Sequence, residues 1–212
     1  MANRTIILLT VIGALFGHFT NSLAANENVV SQIKNSTVCI ISADGGGGGT
    51  GIVTRINGKK YILTANHVIR GEQYVRIVSL KDGRKAYVNR TVGWHLKHDV
   101  ALFALPDTLR HLPALPLLKG TLSQGTKVFL TGYPAGYYHL TEGKVSGFIK
   151  SGDEMLHTAA SEGGASGGAI VSEKGDICGI HTGAYTPRSK YYPNKTATPS
   201  SVINRLLQSC AR

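Results

Sequence analysis

Short apolar runs separated by turn formers dominate this chain after residue 35. Thr37–Ser42, Gly51–Ile56, Tyr61–Thr64, Tyr74–Leu80, Ala86–Thr91 and Val100–Leu105 are rich in β-branched and aromatic residues and recur about every ten residues, which predicts six strands. Asn57-Gly58 and Lys81-Asp82-Gly83 are turn signals between them. Asp107 to Leu118 carries two prolines and reads as a linker. A second set follows: Lys127–Thr131, Lys144–Lys150, Met155–Ala159, Ala169–Ser172 and Ile177–His181, with Glu173-Lys174-Gly175-Asp176 turning the last two. Tyr185 to Asn194 reads as loop plus a short strand. Near the end the period changes. Val202, Ile203, Leu206 and Leu207 form one apolar face of a helix, with Thr198 as its cap and Pro199 at its first position.

Two strand sets, a linker and a closing helix predict an all-β protein. The economical arrangement is two six-stranded antiparallel barrels, at about 35–106 and 119–197, followed by a helix at about 199–209. The glycines of Asp44 to Gly49 read as a flexible loop between the first two strands.

The amino end has a different pattern. Arg4, an apolar run from Thr5 to Gly17, and Ser22-Leu23-Ala24 predict a secretory signal over residues 1–25, cut after Ala24 or Ala25. That run has 13 residues, against the roughly 20 a membrane span needs. The expected mature protein, residues 26–212, is therefore secreted, extracellular or periplasmic, with no stable membrane anchor. Removing residues 1–24 takes only Arg4, leaving 22 Lys plus Arg against 12 Asp plus Glu and a net charge of +10. Such a field favours acidic substrates or anionic surfaces, but no nucleic-acid motif accompanies it. Cys39, Cys178 and Cys210 lack metal-ligand spacing, and no metal or organic cofactor is expected. In an oxidising compartment, Cys178 with Cys210 is the disulfide to test first.

The candidate chemistry lies in three runs: Thr64-Ala65-Asn66-His67, Asp99-Val100-Ala101-Leu102 and Gly164-Ala165-Ser166-Gly167-Gly168. A serine hydroxyl is a weak nucleophile. It needs a base to take its proton and an acid to hold that base in one tautomer. Gly-x-Ser-x-Gly also occurs in α/β-hydrolases, but those place the serine before the acid and the histidine. Here the order is histidine, aspartate, serine, and the βαβ alternation of a hydrolase is missing.

On these three ordered motifs the chain resembles the trypsin/chymotrypsin-fold serine proteases, over roughly residues 35 to 208. The resemblance implies a secreted serine endopeptidase acting on proteins or peptides through an acyl-enzyme. Ser166 would be the nucleophile, His67 the base and Asp99 its orienting acid. The backbone N–H groups of Gly164 and Ser166 would bind the oxyanion. Ala165 stands where the digestive members carry an aspartate, and no Ile-Val-Gly-Gly-like start follows the signal, so activation by a new amino terminus is not expected. Val68 replaces a disulfide cysteine after His67, which leaves the histidine loop to be held by packing alone. Both features resemble bacterial and viral branches.

Ala160 occupies the pocket-base position, which argues against cleavage after Lys or Arg. Ser161, His181 and Thr182 resemble the pocket of glutamyl endopeptidases and some viral processing proteases, implying Glu or Gln before the scissile bond. His157 is the other histidine to place relative to that pocket. A monomer is expected. The alternative is a catalytically inactive binding protein of the same fold. A quality-control protease with peptide-binding domains is a third reading, disfavoured because Arg212 closely follows the final helix.

Overall fold

The computed structural model describes residues 27–185 and 194–210, without the side chains of 209 and 210. The predicted signal segment and most of the Tyr185–Asn194 loop fall outside these residues.

The first half forms a seven-stranded antiparallel sheet. In chain order its strands are β1 (Thr37–Ser42), β2 (Gly48–Ile56), β3 (Lys59–Thr64), β4 (Val75–Val78), β5 (Lys85–Val88), β6 (Gly93–His95) and β7 (Val100–Ala104). They lie side by side as β5-β4-β1-β2-β3-β7-β6. The second half is a closed barrel of β8 (Lys127–Gly132), β9 (His139–Ile149), β10 (Glu154–His157), β11 (Ala169–Val171), β12 (Ile177–Ala184) and β13 (Lys195–Pro199), ordered β10-β13-β12-β11-β8-β9. The second barrel is as expected. The first half is an open sheet instead of a closed barrel, and its seventh strand comes from β6 pairing with β7, Trp94 opposite Ala101. Gly93-Trp94-His95 lacks a β-branched run, so only the ladder reveals it.

A helix over residues 27–36, α1, was also not expected. Ile33 is its buried anchor, and Thr37 Oγ1 donates 2.7 Å to the Ile33 carbonyl, closing its last turn. The helix α2 (Ser200–Cys210) starts later than its sequence signals suggest. Pro199 ends β13, and the Thr198 hydroxyl donates to the His98 carbonyl instead of capping the helix. Val202 and Ile203 are buried as the apolar face requires.

The linker is stitched to both halves. Leu115 N donates 3.0 Å to Val53 O, and Leu118 N donates 2.9 Å to Ile177 O. One apolar core runs through the seam, joining Val38, Ile52 and Leu63 of the sheet to Val171, Ile177 and Ile203 of the second half. A second core, around Val128, Met155 and Ile170, fills the barrel.

Gly143 fits the β9 backbone against Ala159 so closely that a Cβ would lie 2.2 Å from Ala159 N. Gly93 has open space at the same position. Gly143→Ala should therefore lose at least ~1–3 kcal/mol in urea unfolding, while Gly93→Ala stays near wild type. Equal midpoints for the two variants would contradict the packing.

Candidate active site

His67 lies on a single 3₁₀ turn, Asn66–Val68, just after β3. Asp99 lies immediately before β7, where its N–H donates 3.2 Å to Leu96 O. Its φ of +47° places an L-residue in the left-handed region, which aspartate tolerates better than most residues. The carboxylate takes two hydrogen bonds from one partner. His67 N–H donates 2.8 Å to Oδ1, and Oδ2 lies 2.6 Å from His67 Nδ1. This pairing fixes both position and tautomer, with the proton on Nδ1 and the Nε2 lone pair directed away from the carboxylate. Burial works to raise the Asp99 pKa. The hydrogen bonds from the His67 ring and backbone, with the positive fields of His67 and Arg70, outweigh it and hold the carboxyl below its ordinary value.

The histidine loop is therefore not held by packing alone. The His67–Asp99 backbone bond, Val68 N to Ala65 O at 3.2 Å and Ile69 N to Asn66 O at 3.1 Å supply what a disulfide would. Val68 also packs where a Cβ on Gly49 would sit, 2.7 Å away, and the Ser166 carbonyl is 2.6 Å from the same point. Gly49 is in β2 and cannot carry a side chain there. The glycine run is thus only in part the loop it seemed. Gly48 and Gly49 belong to a strand, and the turn before them is ordered by Ser42 Oγ donating 2.8 Å to Asp44.

Ser166 is on the turn between β10 and β11, clamped by backbone bonds to both halves. Thr50 N donates 2.8 Å to Ser166 O, and Gly167 N donates 2.8 Å to His181 O. At Gly167, φ is +84° and a Cβ would lie 2.1 Å from Thr50 O, so this place admits only glycine. Gly164 has φ +97°, and its Cβ would meet Tyr133 O at 2.7 Å. The intervening Ala165 N donates 3.1 Å to Glu162 O, whereas the N–H groups of Gly164 and Ser166 donate to no carbonyl among the described residues. A pair of undonated amides on a tight turn next to a serine suits a developing oxyanion.

The family model for the trypsin-like peptidase domain matches residues 49–180. The chain belongs to this family. Relatives in it include DegP, a periplasmic serine endoprotease of Salmonella typhimurium, 30% identical over 194 aligned residues that cover 83% of this chain and 40% of DegP. Protease Do-like 1, chloroplastic, of Arabidopsis thaliana is 34% identical over 185, covering 82% of this chain and 41% of its own. The chain thus spans about 40% of the length of these curated relatives. The solved serine endoprotease from Yersinia pestis shares the fold, with a TM-score of 0.74 at 23% identity over 87% of this chain and 65% of that one.

Ser161 lines a cavity of about 110 Å³ with Ala160, Glu162, Ala165, His139 and Thr141. His181 and Thr182 do not line that cavity. Thr182 Oγ1 is bonded to Thr196 Oγ1 at 3.0 Å. His181 is buried on β12, its Nδ1 lying 3.2 Å from Nε2 of an equally buried His157. Sequence reasoning singled out His157 but had no means to show this contact, which links strands β10 and β12. Cys178 is buried and has no disulfide partner among the described residues; its Sγ lies 3.3 Å from the Asp176 carbonyl, and burial pushes its thiol pKa to about 12. The expected partner side chain, at Cys210, lies outside the described residues.

Burial, with the neighbouring His181 and Lys195 charges, holds His157 down to about 3. Burial likewise brings His181 to about 4, against a raising bond to the Thr196 backbone. The unfolded chain, near 6.5, takes up more protons than the folded one between these values. Stability should therefore fall as pH drops from about 6.5 toward 4, and His157→Gln should flatten that slope in urea unfolding. An NMR titration of His157 centred near 6.5 would contradict the assignment.

Proposed function

We propose that this chain is a serine endopeptidase exported through residues 1–25 to the extracellular or periplasmic side. The observation that carries the reading is the His67–Asp99 pair, which leaves the Nε2 lone pair free, while Val68 beside it and the Ser166 carbonyl both close on Gly49. In this reading His67 takes the Ser166 proton as Oγ attacks the substrate carbonyl. The resulting oxyanion is bound by Gly164 N–H and Ser166 N–H. The imidazolium, stabilised by Asp99, then returns the proton to the leaving amine, and water repeats the cycle on the acyl-enzyme. The named activities and periplasmic location of the DegP relatives support the class of reaction and the compartment. The relatives named as serine endoproteases favour this reading over the inactive-binding alternative.

Specificity for Glu or Gln before the scissile bond is the finer part of the proposal. Ala160 supplies no carboxylate for a Lys or Arg side chain. His181 is neutral, so it offers one hydrogen bond without charge. That suits a Gln amide, or a Glu whose charge is met by the basic field of the protein.

Ser166→Ala should cut hydrolysis of unfolded casein by at least ~10³-fold without shifting the thermal midpoint. Unchanged turnover would remove Ser166 from the mechanism. Cleavage of a peptide library should show Glu or Gln before the cut, and a preference for Lys, Arg or aromatic residues would overturn the pocket assignment.

A further inference from the structure

Thr50 is buried in β2, one residue past the glycine that abuts Ser166. Its hydroxyl makes two bonds that leave its own sheet. It accepts 2.9 Å from the backbone N–H of Tyr133, and it donates 2.8 Å to the carbonyl of Gly164. Its backbone N–H meanwhile donates 2.8 Å to Ser166 O. One residue thus grips the serine turn on both sides of Ala165 and ties it to the Tyr133–Tyr138 segment.

That segment holds the preceding peptide. Ala135, with φ +49°, donates its N–H 3.2 Å to Gly163 O. The carbonyls of Gly163 and Gly164 are consecutive, and each is fixed by a donor outside the turn. A peptide plane carries its carbonyl and the next N–H in opposite directions. Fixing Gly163 O therefore fixes where Gly164 N–H points, and fixing Gly164 O and Ser166 O constrains the turn through Ser166. Gly132 leaves the space this needs: a Cβ there would lie 3.2 Å from both Thr50 Oγ1 and Ala165 Cα.

We propose that Thr50, through its hydroxyl bridge between Tyr133 N–H and Gly164 O, is a positioning residue for the two oxyanion-binding amides. It touches no substrate and acts through the turn. The inference rests on the reading of Ser166 as nucleophile, but the placement of the turn can be measured without catalysis. Replacing the hydroxyl by a methyl leaves the buried Tyr133 N–H and the half-buried Gly164 carbonyl without this partner. The turn is then free to relax, and a misplacement of about 1 Å costs catalytic groups on the order of 10²-fold.

The test compares Thr50→Val, which keeps the shape, with Thr50→Ser, which keeps the hydroxyl. Thr50→Val should lower kcat on a peptide substrate about 10- to 100-fold with KM within about twofold. Its affinity for a peptide boronate, which fills the oxyanion site, should fall by a similar factor. Thr50→Ser should restore both to within about threefold. In parallel, the backbone amide resonances of residues 163–168 should move or broaden in Thr50→Val and overlay wild type in Thr50→Ser. Unaltered resonances and kcat in Thr50→Val would overturn the proposal, as would equal losses in both variants. Wild-type protein without turnover would refute the nucleophile reading, and the resonances would still decide the role of Thr50.

Discussion

Everything in the candidate site depends on the close contact of the serine turn with β2. At Gly167 a Cβ would lie 2.1 Å from Thr50 O and 2.2 Å from Thr64 Oγ1, which leaves no room for a side chain. Thr64 Oγ1 in turn donates 2.7 Å to that same Thr50 carbonyl. The end of β3, the middle of β2 and the serine turn are therefore one bonded unit. His67 follows three residues after Thr64, so its loop starts from the same anchor. The two halves of the molecule are brought into register by this seam, with the shared apolar core beneath it.

The seam also explains how rigid sheets can serve a reaction that needs fine placement. His67 and Asp99 come from the open sheet, at the ends of β3 and the start of β7, strands paired through Thr64 and Ala101. Ser166 comes from the closed barrel. Asp99 joins them a second way, because the carbonyl of its neighbour His98 accepts from Thr198 of β13. The left-handed Asp99 backbone, which costs about 1–3 kcal/mol for such residues in general, is offset by the paired hydrogen bonds to His67. Placement of catalytic groups by strand ends and clamped turns is more exact than placement by free loops.

Much of this was legible in the chain, and the reasons differ from element to element. β1 was readable to the residue because Thr37 to Ile41 is an apolar and β-branched run that leads into a glycine turn. The order of His67, Asp99 and Ser166 carried the fold because three short motifs in one sequence rarely occur together. β6 was not readable, since Gly93-Trp94-His95 becomes a strand only by pairing with β7. The helix at 27–36 was hidden because few of its residues are apolar and a single one, Ile33, is fully buried. The start of α2 was displaced because Thr198 spends its hydroxyl on a carbonyl one hundred residues away. The same holds for the pocket: Ser161, His181 and Thr182 were identified by position, but the partners that occupy His181 and Thr182 come from β10 and β13. Long-range partners of polar side chains leave little local signal.

In the proposed mechanism Ser166 is made nucleophilic by His67 held on Asp99. A fluorophosphonate probe tests it most directly, with the site of attachment mapped by peptide mass spectrometry. One adduct on Ser166 is expected in the wild-type protein, with near-complete loss in His67→Ala. An adduct elsewhere, or equal labelling of Ser166 in both proteins, would contradict it.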